Sequence, residues 1–276
     1  MADRDDLKEM SFWEHLDDLR GVLIKIAVVL VIAAVALFIW MPDIFDRVIL
    51  APCSSDFALY RWIDHLAATI PGMSELGGDF HVDLINIQLA SQLYIHLSTS
   101  FWLAVVLTFP IILYLLWTFI APALYQNERR GVRRAFLFGV FMFYLGVAVG
   151  YFLVFPIILR FLADYHVSQL VPNQVSLDSY MDNFLMMVFF MGVVFELPLL
   201  CWLLGNIGVL HRDFFSKYRR HAIVALVVLA AIITPTGDLF TLSVVFLPLY
   251  ILYEASALLV PKGTEALTIT TKEEET

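Results

Sequence analysis

The sequence is poor in charge and in cysteine. Charged residues make up only 16% of its 276 residues, whereas a soluble globular domain has about 25%. The composition therefore excludes an ordinary soluble domain. The two cysteines, Cys53 and Cys201, provide neither a disulfide framework nor a zinc site. The net charge of −9 argues against nucleic acid as a partner, because phosphate binding requires a basic surface.

Sequence motifs of catalysis are also absent. The chain has no nucleophile elbow, no phosphate-binding loop and no His-Glu-x-x-His motif. Its histidines, among them His15, His81, His96 and His221, show no metal-ligand spacing. We therefore predict that the protein is not an enzyme and holds no cofactor or metal ion.

Long apolar runs are what the sequence has in abundance. Hydrophobic residues make up 61% of the chain, and the mean hydropathy is +0.81. Runs of about 20 apolar residues are typical of helices that cross a bilayer. We predict an all-α integral membrane protein with six spans, of which the fifth is short. The spans lie at about 22–40, 93–119, 136–159, 184–204, 222–234 and 239–259.

The basic residues predict the orientation of these spans. Of the 17 lysines and arginines, all but Arg47, Arg61 and Arg160 lie in the N-terminal segment, the second and fourth loops or the tail. Because cytoplasmic segments are enriched in Lys and Arg, both termini are predicted to be cytoplasmic. The opposite face then carries a large loop at 41–92, with an amphipathic helix over 57–70. We expect one membrane domain over 1–260 and a disordered acidic tail over 261–276.

Acidic side chains that need an explanation occur at four sites, of which the first is an N-terminal segment with three acids. Ser11 and Glu14 have capping-box spacing, which predicts a helix over 11–21 that runs into the first span. Glu14, Asp17 and Asp18 share one side of it, where they either favour the helix N-terminus or form a cation-binding face. The other three positions are Glu128 among four arginines, Glu196 within the fourth span, and Asp238 in the turn before the sixth.

Each of these three acids has a structural and a functional interpretation. Glu128 either pairs with neighbouring arginines or binds a ligand, and its spacing does not decide between them. Glu196 lies where a carboxyl group is costly, which makes it a functional candidate, although a structural hydrogen bond is also open. Pro198 should weaken the helix beside it. Asp238 has the ordinary chemistry of a turn residue.

Taken together, these segments resemble TatC, the polytopic receptor subunit of the twin-arginine protein translocase. The matching stretches occur in family order at 12–20, 119–130, 192–198, 217–220 and 234–254. The resemblance implies a concave, glove-like bundle of six helices in the bacterial inner membrane. It also implies that the protein binds twin-arginine signal peptides of folded cargo and recruits small single-span subunits of the TatA and TatB type. These would form an oligomeric complex that is driven by the proton-motive force.

The resemblance also implies roles for the acidic residues. Asp18 and Glu128 would bind the arginine pair, with Glu14 or Asp17 sharing the role and Phe119 linked to the same site. Most relatives have Glu where this chain has the shorter Asp18. Glu196 would be the embedded carboxyl group of the concave face, and Asp238 the acid at the outer end of the last hairpin. The alternative function is a proton-coupled small-solute transporter that uses Glu196 and Asp238, although its spans would need more polar residues.

Overall fold

The structure is a computed structural model that describes residues 12–69, 80–120, 129–168, 170, 173–206 and 208–260. These residues are almost entirely helical. The α-helices are α1 Phe12–Ile44, α2 Ala58–Thr69, α3 Ser91–Ile120, α4 Arg129–Val149, α5 Phe155–Asp164, α6 Leu177–Val194, α7 Leu197–Asn206, α8 Arg212–Lys217, α9 Arg219–Ile233 and α10 Leu239–Leu259. Two π-helical turns, Phe45–Ile49 and Gly150–Val154, continue α1 and join α4 to α5. Strands β1 Leu84–Ile85 and β2 Val175–Ser176 pair in parallel.

Five helical segments are long and apolar enough to cross a membrane, as judged by their length and composition. They are Leu16–Cys53, Ser91–Phe119, Phe136–Asp164, Leu177–Asn206 and Leu239–Leu259. The prediction of a helical, multispan membrane protein is therefore confirmed. The remaining apolar run lies in α9, whose 15 residues measure about 22 Å, less than the roughly 30 Å of a bilayer core. A sixth span there stays a prediction.

Helix α1 extends beyond the apolar run at 22–40. It continues to Ile44 and its π-helical turn to Ile49, while the predicted outer loop at 41–92 stays a prediction. Hydropathy marks where a helix leaves the hydrocarbon, whereas backbone hydrogen bonding can continue outside it. Met41 and Ile49 of this extension are buried. The predicted amphipathic helix within the loop is found as α2.

The chain divides into two compact units. The first comprises Met1–Met41 and Leu97–Val140, and the second comprises Pro42–His96 and Phe141–Thr276. The second unit contains most of the buried side chains, including Phe143, Met187 and Met191.

Glycines let two helices approach closely within the second unit. Gly146 and Gly150 are separated by three residues, a spacing that typifies close helix packing in membranes. A Cβ atom at Gly146 would lie 2.5 Å from the carbonyl oxygen of Met191 on α6. On the facing helix, a Cβ atom at Gly192 would lie 2.9 Å from the ring of Phe143. The backbones of α4 and α6 therefore meet where no larger side chain fits.

Tyrosine hydroxyl groups hold the ends of several helices together in the same unit. Tyr151 donates to the carbonyl oxygen of Val48 at 2.7 Å, and Tyr180 donates to that of Ile49, so both bind the π-helical turn that ends α1. Tyr60 of α2 lies 3.1 Å from the carbonyl oxygens of Pro52 and Pro156. A buried carbonyl without a partner would be costly, so the buried hydroxyl groups of Tyr60 and Tyr180 stabilise the irregular turns they bind.

The glycine contact makes a quantitative prediction. Gly146→Ala places a methyl group against the backbone of Met191, which cannot rotate away, so we expect it to lower the free energy of unfolding by about 1–3 kcal/mol. Gly21→Ala is the matched control, because a Cβ atom there meets nothing within 4 Å and alanine favours a helix. Loss of helical circular dichroism on heating in detergent measures both. Equal melting temperatures for the two variants would refute the close contact.

Candidate functional site

The first acidic group lies on α1. Asp17 and Asp18 fall in the second turn of this continuous helix, and both side chains are exposed. Helix α1 begins at Phe12 and continues without a break into the first candidate span. Glu14 belongs to the same helix, but its side chain lies outside the described residues. Exposure leaves the two described carboxylates accessible to a cationic ligand.

Two further candidates lie at the connection between α3 and α4. Phe119 is the penultimate residue of α3, which ends before Pro122, as is usual for helices that meet a proline. Glu128 lies outside the described residues, and α4 begins immediately after it. Tyr114 and Phe136 meet edge to face with ring centres 6.1 Å apart, about two turns inside each helix. This antiparallel contact puts the end of α3 and the start of α4 on the same side.

The acidic candidates separate into two groups. Glu14, Asp17 and Asp18 belong to the first compact unit, as does the aromatic candidate Phe119, whereas Glu128 lies outside the described residues. Glu196 and Asp238 belong to the second. The two groups are therefore two separate candidate sites.

Glu196 lies at a break in a long apolar segment. Helix α6 ends at Val194, residues 195–196 form a turn, and α7 begins at Leu197, as the neighbouring Pro198 led us to expect. The Glu196 amide bonds the carbonyl oxygen of Val193 at 3.1 Å, a tighter connection than that of an α-helix. Its Oε1 atom is buried and has no hydrogen-bond partner among the described residues. A buried polar atom of this kind needs a ligand, water or partner.

Close helix packing positions this turn. Phe195, directly before Glu196, is buried, and its Cβ atom would lie 2.7 Å from a Cβ atom at Gly146. The glycine of α4 thus makes room for the turn that carries Glu196.

The Asp238 side chain forms hydrogen bonds with residues of its own turn. Its Oδ1 atom accepts from the Thr241 amide at 2.8 Å and its Oδ2 atom from the Thr236 hydroxyl at 2.8 Å, so it caps the N-terminus of α10. Gly237 precedes it with a φ of 60°, a conformation that favours glycine. Burial alone would raise the pKa of Asp238, but the hydrogen bonds from Thr241 and Thr236 outweigh it and hold the pKa below its usual value. The turn interpretation of this residue agrees with the structure.

The sequence did not predict an ion pair at the other end of the last hairpin. Arg219 donates from Nε to the Glu254 carboxylate at 2.9 Å and also from Nη2, while its guanidinium lies 5.9 Å from the ring centre of Tyr250. The pair joins the start of α9 to the end of α10. The only available signal was opposite charge at the two ends of a predicted hairpin. Among the described residues, no group of three acidic, histidine or cysteine side chains could hold a metal ion.

Comparison with known protein sequences shows which family this chain resembles. A sequence model described as Sec-independent protein translocase protein (TatC) matches residues 14–248, which include all seven candidate residues. The Sec-independent protein translocase protein TatC of Blattabacterium sp. subsp. Periplaneta americana (strain BPLAN) is 34% identical over 92% of this chain and 96% of that protein. The protein of the same name from Deinococcus radiodurans is 31% identical over 92% of this chain and 87% of its own length.

Solved structures show the same similarity in three dimensions. A crystal structure of the twin-arginine translocase receptor TatC matches with a TM-score of 0.71 at 29% identity, and the match covers 92% of this chain and 100% of that chain. A crystal structure of that receptor in DDM matches with a TM-score of 0.72 over 89% of this chain and 99% of the other. The resemblance inferred from short motifs therefore extends over nearly the whole fold.

The cap at Asp238 can be tested by its chemistry. Asp238→Ala removes the acceptor for the Thr241 amide and should lower the free energy of unfolding by about 1 kcal/mol. Asp238→Asn keeps an acceptor and should retain most of the stability. Because the folded-state pKa is depressed, the contribution is fully present at neutral pH and is lost as the pH falls below about 4. Thermal unfolding in detergent at neutral pH measures both variants, and an unchanged melting temperature for Asp238→Ala would contradict the capping role.

Proposed function

Since this chain belongs to the TatC family, we propose that it is the receptor component of a twin-arginine translocase. In this role it binds the twin-arginine signal peptides of folded cargo proteins and recruits small single-span subunits of the TatA and TatB type into an oligomeric complex. The observation that carries the proposal is the pair of exposed carboxylates, Asp17 and Asp18, on α1. They belong to the same compact unit as the helix ends that flank Glu128.

The proposed ligand suits these residues chemically. An arginine side chain presents a planar fork of N–H donors, which a carboxylate can accept in bidentate fashion. Two neighbouring arginines require two such acceptors, and we assign them to Asp18 and Glu128, with Glu14 or Asp17 sharing the role. Phe119 is half-buried at the end of α3 and offers a ring against which the apolar stem of an arginine can pack.

The proposed topology places these acids where a signal peptide first meets the membrane. With α9 as a short sixth span, both termini lie in the cytoplasm of a bacterial inner-membrane protein. The distribution of lysine and arginine supports this orientation. The bilayer would thin beside α9 and α10 to match the length of α9. Residues through 260 then form one membrane domain, and the acidic tail follows in the cytoplasm.

Glu196 has a separate role in this proposal. Its buried Oε1 atom, without a partner among the described residues, supplies a polar group inside an apolar span. We assign it the task of holding water or polar groups of the signal peptide within the bilayer while the proton-motive force drives transport. A proton-coupled carrier would instead require this carboxyl group to gain and lose a proton in every cycle.

The receptor role predicts the effect of removing the arginine acceptors. We expect Asp18→Ala and Glu128→Ala each to weaken binding of a twin-arginine signal peptide by roughly 10- to 150-fold. This range follows from the loss of a charge-assisted hydrogen bond, which contributes about 1.5–3 kcal/mol. Site-specific crosslinking of the peptide to the membrane-inserted chain measures this. Replacing both peptide arginines by lysine should weaken binding of the unmodified chain as well, because an ammonium group lacks the fork.

Asp213→Ala is the matched control for these variants. It removes an exposed carboxylate from α8, in the second compact unit, and should leave peptide binding unchanged. Normal peptide binding by the Asp18→Ala/Glu128→Ala double variant would rule out these residues as the arginine acceptors.

The role of Glu196 predicts a difference between two substitutions. Glu196→Gln keeps hydrogen-bonding groups without the charge, so export of a folded twin-arginine reporter should largely persist. Glu196→Leu removes the polar group and should impair export more strongly. Signal-peptide crosslinking should persist in both variants, since the proposed arginine acceptors are elsewhere. Export lost equally in the two variants would show that ionisation is required and would favour the carrier function.

A further inference from the structure

A surface of basic and aromatic side chains lies around the junction of α8 and α9, and the proposed receptor function does not use it. We call it the basic-aromatic patch. All of its members are exposed, and the residues Phe214 and Tyr218 are 48% and 38% exposed. The patch consists of Phe214, Lys217, Tyr218, Arg220 and His221.

Ring contacts make most of the patch a continuous surface. The ring centres of Phe214 and Tyr218 lie 4.5 Å apart, and those of Tyr218 and His221 lie 5.8 Å apart. The ammonium group of Lys217 lies 5.6 Å from the centre of the Tyr218 ring. A positive charge is therefore held against an aromatic surface that remains open to its surroundings.

The patch keeps its positive charge. Within the described residues, neither Lys217 nor Arg220 forms an ion pair, whereas the intervening Arg219 is bound by Glu254. Asp213 is the one acidic residue between positions 211 and 221, and the adjacent Arg212 offsets it. Two exposed cations are thus left without neutralisation.

The location of the patch points to a bilayer surface. It directly precedes the apolar part of α9 and follows the long apolar segment that ends at Asn206. Aromatic side chains and basic residues at the ends of apolar segments are typical of the interface between membrane and water. Exposed rings gain little from a soluble anion, but they can enter the boundary between lipid headgroups and acyl chains.

We propose that the basic-aromatic patch binds the headgroup of an anionic phospholipid. Lys217 and Arg220 attract its phosphate, and the rings of Phe214 and Tyr218 insert beside its glycerol. This inference depends on the chain being embedded in a bilayer and not on signal-peptide binding.

Native mass spectrometry of the detergent-solubilised full chain tests the proposal. Phosphatidylglycerol should bind more tightly than zwitterionic phosphatidylcholine. Lys217→Gln/Arg220→Gln should weaken phosphatidylglycerol binding by about 30-fold, which corresponds to two cations at a lipid surface. Phe214→Ser should weaken binding of the lipid while keeping the preference for the anionic headgroup.

Two controls separate this site from general electrostatics and from soluble anions. Arg47→Gln/Arg61→Gln removes the same charge from two exposed arginines elsewhere and should leave lipid binding unchanged. Millimolar inorganic phosphate should not displace the lipid. Equal weakening in both double variants, or displacement by phosphate, would overturn the proposal. Signal-peptide crosslinking should stay normal in Lys217→Gln/Arg220→Gln, so that failure of either hypothesis is recognised separately.

Discussion

The position of α6 in the larger unit depends on its close approach to α4 and to the π-helical turn that follows α4. Gly146 and Gly150 bring one backbone against the other, and a methyl group at position 146 would collide with a carbonyl oxygen. In a bilayer, helices associate through this kind of packing, because lipid tails are as apolar as the side chains themselves. The embedded Glu196 follows directly after Phe195, which lies at the same contact.

Irregular backbone is tolerated in this unit because side chains satisfy it. The π-helical turn after α1 exposes carbonyl groups that accept hydrogen bonds from Tyr151 and Tyr180. The turn before α10 is capped by Asp238, and Arg219 with Glu254 closes the opposite end of that hairpin. Polar side chains therefore hold several helix ends in this unit. Glu196 Oε1 is one of several buried polar atoms without a hydrogen-bond partner among the described residues, and it is the one to which our functional proposal assigns a role.

Local patterns in the sequence predicted the bounds of several long helices. Helix α10 covers Leu239–Leu259, the same residues as the predicted run, and α3 extends its run by only a few residues. Pro198 indicated the break beside Glu196, and the turn chemistry of Asp238 indicated its local use. By contrast, Arg219 and Glu254 are 35 residues apart, and Tyr151 binds a carbonyl 103 residues away. No periodicity in the sequence encodes such contacts, because they arise only when distant helices pack.

We propose that the twin-arginine motif of a signal peptide binds at Asp18 and Glu128, with Glu14 or Asp17 sharing the role. A photoreactive residue next to the arginine pair of a signal peptide tests this directly, with the crosslinked positions identified by mass spectrometry. The account predicts crosslinks within residues 12–20 and 119–130. Crosslinks confined to the segments around Glu196 or Asp238 would contradict it.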